Sequence, residues 1–317
     1  MKAIYSRTIE KPAGWLFARW SAGAKAYELT LPPEKRVVTD PLAHYYAGEI
    51  GMKIVALFLQ VNPSIRMAIV LRARYFDDCA RQSLLEGYEQ VVLLGAGYDS
   101  RFLRLEEFRA IRVFELDLES TQVIKKCLTR RMLGRLPEHV TYVPIDFSRE
   151  SLRDKLIGAG FDRTRRTLFI WEAVSLFLNE EIVIATLERL AELGGGNRVL
   201  FDFVPPELID DATDYNGNRQ LLEICALVKE PLTYGCRPHR MRAILKRIGY
   251  RDIRIVSLRE AHRMYCGNDQ IEDSYFFAST EVAPQVASFD GDNTRSPNNG
   301  RIYVPTESDI RAVRAAG

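Results

Sequence analysis

Two glycines and a series of acids carry the chemical signal of this 317-residue chain. Gly95 ends the apolar run "QVVLLG" (90–95), and Gly97 and Asp99 follow at once. The run "VFELD" supplies Glu115 and Asp117, "YVPIDF" supplies Asp146 and Phe147, and "FIWEAVSLFL" supplies Glu172. Glycines after an apolar strand let a backbone approach a ligand closely. Asp117 lies twenty residues after Gly97, where an acid can accept hydrogen bonds from ribose hydroxyls. A dinucleotide fingerprint also needs a third glycine, three residues after the second. Ser100 stands there instead, with Asp99 before it. A carboxylate in that turn repels a pyrophosphate, which disfavours NAD and FAD and favours a nucleoside without phosphates.

Taken one at a time, the glycine pair is a tight turn and each acid is an ordinary surface carboxylate. Four successive strands ending in Gly, Asp, Asp and Glu say more. The acidic rim suits a cationic adenosyl ligand, S-adenosylmethionine, whose methionine carboxylate calls for one cation. The stretch "LRARYFDD" (71–78) offers Arg72 and Arg74. Ile69, Ala73, Phe76, Ala80 and Leu84 form one apolar face of a helix there, and the two arginines flank it. Solvated helix arginines explain the periodicity equally well.

These residues need a scaffold. Strand patterns fall at 90–95, 111–117, 140–146, 166–172, 198–204, 252–258 and 274–279, several apolar on both faces, as in strands covered on both sides. Amphipathic segments lie between them. In "NEEIVIATLERLAELGGG", Asn179 can cap, Glu180 and Glu181 suit a helix start, and Gly194 suits its end. Strand alternating with helix predicts an α/β fold, a doubly wound Rossmann-like sheet. The last two strands have no full helix pattern between them, so an antiparallel, hairpin-like ending is expected. Three domain-level parts are expected: a helical N-terminal cover (1–65), the main α/β domain (66–280) and an irregular tail (281–317). A long insert at 205–236 leaves the fifth strand at the ligand-binding edge. It reads as a mobile lid in which only "RQLLEICALV" packs as a helix.

The combination "RARYFDD", "QVVLLGAGYDSRFLRL", "VFELD", "YVPIDF" and "FIWEAVSLFL" resembles the leucine carboxyl methyltransferase family, which depends on S-adenosylmethionine and includes bacterial enzymes that methylate polyketides. The motifs run in family order over residues about 40 to 280, and "TDPLAHYYAG" resembles the family's N-terminal Asp-Pro segment. The resemblance implies a class I methyltransferase sheet, mostly parallel with an antiparallel last strand. It implies that Arg72 binds the methionine carboxylate, with Arg74 a second candidate. Gly95, Ala96, Gly97 and Asp99 would lie along the cofactor, and Asp117, flanked by Glu115 and Leu118, would hold the ribose. Asp146 and Phe147 would meet the adenine, and Glu172 the methionine amino group. The insert falls where the family builds part of its acceptor pocket.

Composition narrows the function classes. With 47% hydrophobic and 27% charged residues the chain is ordinary globular material, and a net charge of +2 gives no field for nucleic acid or membrane. The five cysteines lack CxxC spacing, so reduced thiols are expected and no metal site. The N-terminus lacks the apolar core of a signal peptide, and the longest apolar stretch (54–61) is far too short to span a bilayer. A cytoplasmic protein is expected.

A carboxylate acceptor is anionic at neutral pH and needs no general base, whereas a phenol or alcohol does. His44, His139, His239 and His262 all lie off the strand ends, which mildly favours a carboxylate. No catalytic residue is singled out. Arg237 or Arg240 in the basic stretch 236–255 could meet an anionic acceptor, but a solvated helix face explains them better. Tyr215, Tyr234 and Trp171 could form an aromatic wall. The expected activity is O-methylation of a small acid or polyketide-like acceptor. Methylation of a protein C-terminus and a non-catalytic scaffold are the alternatives, and the sequence assigns no oligomeric state.

Overall fold

A computed structural model describes residues 14–61, 63–147, 149–211, 218–227 and 230–283. Three helices precede the sheet: α1 (Gly14–Glu28), α2 (Ala43–Val61) and α3 (Pro63–Leu85). β1 (Gln90–Leu94) then leads through the glycine turn to the single-turn α4 (Arg101–Arg104), β2 (Arg112–Asp117), α5 (Glu119–Leu133), β3 (Val140–Pro144) and α6 (Leu152–Gly158). β4 (Thr167–Trp171), α7 (Glu180–Glu192) and β5 (Arg198–Phe203) follow. The chain continues through α8 (Pro206–Ile209), α9 (Asn218–Leu227), α10 (Pro238–Ile248), β6 (Tyr250–Ser257), α11 (Leu258–Cys266) and β7 (Phe276–Val282).

The seven strands form one sheet in the order β3-β2-β1-β4-β5-β7-β6. β1 to β5 pair in parallel, and β7 runs antiparallel between β5 and β6. The expected antiparallel ending is therefore present, but it is not a hairpin. The nine-residue α11 separates β6 from β7, started by a capping box in which Ser257 and Glu260 satisfy each other's amides. Val282 pairs with Tyr250 and Glu281 with Arg198, so the strand runs past the tail boundary expected at 281. Residues 284–317, most of the expected tail, lie outside the described residues.

Strand residues alternate between two cores. Val91, Leu93 and Ile170 join the core under α3 and α11, and Val92, Leu94, Phe169 and Trp171 the core under α6, α7 and α10. Helix α7 begins as the sequence indicates, the Asn179 side chain accepting from the Ile182 amide at 2.9 Å. Helices α1 and α2 pack tightly because Gly23 faces Gly51, where a Cβ on Gly23 would sit 2.6 Å from the Gly51 carbonyl oxygen. α3 runs straight across the boundary expected at residue 65.

Register sets up the site. Leu94 stands level with Leu116, Leu93 with Ile170, and Trp171 with Phe201. One residue further along each strand, the same register aligns Gly95, Asp117, Glu172 and Asp202. The order reverses between β1 and β4, at the point where open α/β sheets bind ligands.

Candidate functional site

A cavity of about 450 Å³ opens over this row. Ten of the twelve candidate residues line it: Arg72, the loop residues Gly95, Ala96, Gly97 and Asp99, then Asp117, Leu118, Asp146, Phe147 and Glu172. Arg74 and Glu115 do not line it. Arg74 is two residues past Arg72, so it points from another side of the helix. It pairs with Asp78 at 3.0 Å, and its guanidinium stacks over Tyr265. Glu115 lies inside the sheet rather than at its end, fully buried, and is bonded to Lys125 at 2.7 Å. Burial pushes its carboxyl up to about 7, with Lys125 pulling back only in part.

The glycine turn is shaped by what surrounds it. Gly95 has φ +63, and a Cβ there would lie 2.4 Å from Cγ2 of Val174. One side-chain oxygen of Asp117 accepts from the Gly97 amide of the turn at 2.6 Å, and the other from the Leu118 amide at 2.7 Å. A carboxylate has about four acceptor positions, so Asp117 retains capacity for ligand hydroxyls. Burial raises its pKa despite those two amides.

The rest of the floor is a buried charge network. Arg72 is only 3% exposed and is not a solvated helix residue. Its guanidinium donates to Glu172 at 2.9 Å, to Asp202 at 3.2 Å and to the Tyr275 hydroxyl at 2.9 Å. Arg101 pairs with Asp99, with Asp77 at 2.7 Å and with Glu172 at 2.7 Å. Burial acts to raise the Asp99 and Glu172 carboxyls, but Arg101 together with the neighbouring cations, Lys25 and Lys125 around Asp99 and Arg72 and Lys25 around Glu172, outweighs it and holds both below the usual carboxylate range. Asp202 goes the other way: burial raises it, and Arg72 offsets only part of that. The Ala173 amide donates to Asp202 at 2.7 Å, from a residue with φ +57.

Several lining residues had no distinct signal. Ala18, Ser21, Ala22 and Lys25 line the cavity from α1. Their i, i+3, i+4, i+7 spacing marks one helix face, but nothing in it says that the face meets a ligand. Lys25 is buried and pairs with Asp40 of the "TDPLA" segment at 3.3 Å. Asp202 is the lone acid in the apolar run "RVLFDFV", and such a residue demands a partner. Tyr275 also lines the cavity.

The insert contributes Leu208, Asn218, Leu221, Cys225, Glu230 and Leu232 to the cavity wall. It holds α9, as its sequence indicates, and also α8, formed by the "PPELI" stretch expected to be irregular. Tyr215 lies outside the described residues, as does much of the Asn-Gly-Asn stretch. None of the four histidines lines the cavity. Arg237 and Arg240 are exposed and paired with Glu207 and Glu180, away from it. Trp171 and Tyr234 are core residues and form no wall of it. Among the described residues no cluster suits a metal ion, and no helix is long and apolar enough to cross a membrane.

The sequence profile of leucine carboxyl methyltransferases matches residues 18–191. The chain belongs to the leucine carboxyl methyltransferase family. The matched span runs from α1 through most of α7, so it holds Lys25, Arg72, the glycine turn, Asp117, Asp146 and Glu172, but neither Asp202, the insert nor Tyr275. The chain is similar to YktD of Bacillus subtilis, named as a candidate S-adenosyl-L-methionine-dependent methyltransferase. The two are 29% identical over 163 residues, which cover 51% of this chain and 53% of YktD. A Frankia alni protein of the same description is 35% identical over 138 residues, 43% of this chain and 47% of its own length. One from Streptomyces avermitilis is 30% identical over 198 residues, 60% and 69%. The chain thus spans about half the length of the first two relatives. Two solved structures share the fold. A DUF574 family protein from Streptomyces avermitilis has a TM-score of 0.56 at 15% identity, covering 83% of this chain and 97% of that one. A candidate methyltransferase from Thermobifida fusca has a TM-score of 0.56 at 11% identity, covering 87% and 97%. The fold of this family member is the class I methyltransferase fold.

Proposed function

We propose that this protein transfers a methyl group from S-adenosylmethionine to an oxygen of a small, largely apolar acceptor. The reading is carried by the division of one cavity into an acidic floor at the strand ends and an apolar wall from Phe17, Trp20, Phe177, Leu208, Leu221 and Leu232. The floor fits the cofactor. Asp117 offers acceptors to ribose hydroxyls, Asp146 and Phe147 border the adenine position, and Glu172 carries negative charge for an ammonium. Arg72 and Lys25 are the cations for the methionine carboxylate. Asp99 and Asp117, both carboxylates beside the turn, oppose a pyrophosphate there.

When bound, S-adenosylmethionine supplies an electrophilic methyl carbon on a cationic sulfur. The chain's part is alignment and exclusion of water. The Gly95 turn allows close backbone approach, and the Arg72 and Arg101 pairs hold Glu172 rigidly. Leu208, Leu221 and Leu232 close the acceptor side against solvent. The enclosing wall, formed by α1 and the insert, supports a small molecule over a protein terminus.

The test is label transfer from methyl-labelled S-adenosylmethionine in a cell extract. Label in the solvent-extractable small-molecule fraction is expected. Label confined to protein, or absent despite cofactor binding, overturns the reading.

A further inference from the structure

The acceptor side of the cavity holds one polar group whose hydrogen is already committed. Tyr275 lines the cavity and packs against the apolar cluster that Leu176 and Val204 form with Leu208, Cys225 and Leu232 of the insert. Its hydroxyl donates to Asp202 Oδ2 at 2.6 Å and accepts from Arg72 Nη1 at 2.9 Å. Asp202 has no exposed surface; its other carboxylate oxygen accepts the Ala173 amide at 2.7 Å. An ionised carboxylate only accepts, and Arg72 only donates. The tyrosine hydrogen is therefore fixed on Asp202, and the hydroxyl oxygen can offer the cavity only its remaining lone pair.

We infer that Tyr275, oriented by Asp202 and Arg72, selects an acceptor that presents a hydrogen-bond donor, a neutral hydroxyl on an apolar body, and disfavours a carboxylate. This rests on the proposed methyl transfer and narrows its acceptor, reversing the mild preference for a carboxylate that the sequence suggests. A carboxylate would place its lone pairs against the Tyr275 lone pair. A hydroxyl has a proton to lose, and the pair provides a route. As the acceptor oxygen bonds to the methyl carbon, the carbon–sulfur bond breaks and its electron pair stays on sulfur. The hydroxyl proton passes to the Tyr275 oxygen while the Tyr275 proton passes to Asp202 Oδ2. After the product leaves, the proton on Asp202 returns to the Tyr275 oxygen as the Tyr275 proton passes to water entering the cavity, which restores the starting pair. Burial of Asp202, which favours its neutral form, is consistent with that role.

The test uses the full chain saturated with S-adenosylhomocysteine, so that the cofactor carboxylate occupies the cations. Two probes with the same apolar body, 1-naphthol and 1-naphthoate, are titrated by calorimetry. The naphthol should bind about tenfold or more tighter, the scale of one well-made hydrogen bond. Tyr275→Phe keeps the ring and should abolish that preference while changing S-adenosylhomocysteine affinity less than about threefold. Asp202→Asn should reverse the preference, because an amide donor in place of Oδ2 frees the tyrosine hydrogen to face the cavity. The inference is overturned if 1-naphthol fails to bind or binds no better than 1-naphthoate. A preference that survives in Tyr275→Phe overturns it too. Failure of the parent chain to bind S-adenosylhomocysteine would instead overturn the proposed function.

Discussion

Replacing Arg72 with alanine removes the cation at the centre of the floor. Arg72 is 3% exposed and bonds Glu172, Asp202 and Tyr275. Breaking a buried ion pair by deleting one partner costs about 3–5 kcal/mol, because the other charge stays buried and uncompensated. Here the partners are not equally exposed to that loss. Glu172 keeps Arg101 at 2.7 Å, whereas Asp202 keeps only neutral donors, the Ala173 amide and the Tyr275 hydroxyl. The expected destabilisation is thus at the lower end, about 3 kcal/mol, a large share of the ~5–15 kcal/mol typical of a folded domain. Urea unfolding measures it as a lower midpoint at unchanged slope. S-adenosylhomocysteine affinity should fall as well, by roughly 1.5–3 kcal/mol for a lost charge-assisted hydrogen bond. Adding Asp202→Asn to Arg72→Ala removes the uncompensated charge and should recover about half of the stability lost. A single variant that loses less than about 1 kcal/mol, or a double variant no more stable than the single, would refute the reasoning.

Three further outcomes are expected. With its carboxyl pushed up to about 7, Glu115 binds its proton more tightly folded than unfolded. Its contribution to stability is therefore full below about pH 4 and is lost as pH rises through about 7, by up to ~3 kcal/mol. Glu115→Gln combined with Lys125→Met removes the pair, so the stability difference between pH 8 and pH 4.5 should shift upward relative to the parent; an unchanged difference argues against a buried, strained carboxylate. Gly95→Ala forces an L side chain to φ +63 against Val174, costing about 2–4 kcal/mol from the left-handed backbone and the overpacking together. Adding Val174→Ala should recover only the packing share, and thermal melts of both variants check this. Leu221→Asp, on the insert wall, should impair methyl transfer by at least about tenfold while leaving S-adenosylhomocysteine affinity within about threefold. Equal losses in both would place Leu221 on the cofactor side.

The scaffold was legible because the first four strands each have a short apolar run with a glycine or an acid at its end, and the register then aligns Gly95, Asp117 and Glu172. The limits of legibility are equally physical. Glu115 and Asp117 share a strand face by two-residue spacing, and only the position of the sheet edge separates a buried structural acid from a ligand-facing one. Arg72 and Arg74 differ by a helical rotation that periodicity describes, but which side met the ligand depended on how α3 sits on the sheet. The contribution of α1 was hidden because Ala18, Ser21 and Ala22 are small residues, alike whether they pack on a helix or border a cavity. Asp202 and Tyr275 lie seventy-three residues apart, one in a strand and one before another, and only the insertion of β7 beside β5 brings them within 2.6 Å. The helix between the last two strands leaves little trace in the sequence because it is only nine residues long and its buried face is only Leu258, Ala261 and Tyr265.

We propose that the row Gly95, Asp117 and Glu172 forms a site for an adenosyl sulfonium cofactor rather than for a phosphorylated dinucleotide. Calorimetric titration of the full chain with S-adenosylhomocysteine and with NAD tests it most directly. Saturable binding of S-adenosylhomocysteine at one site, with NAD at least about a hundredfold weaker, is the predicted result. Binding of NAD as tight as or tighter than that of S-adenosylhomocysteine would contradict the account.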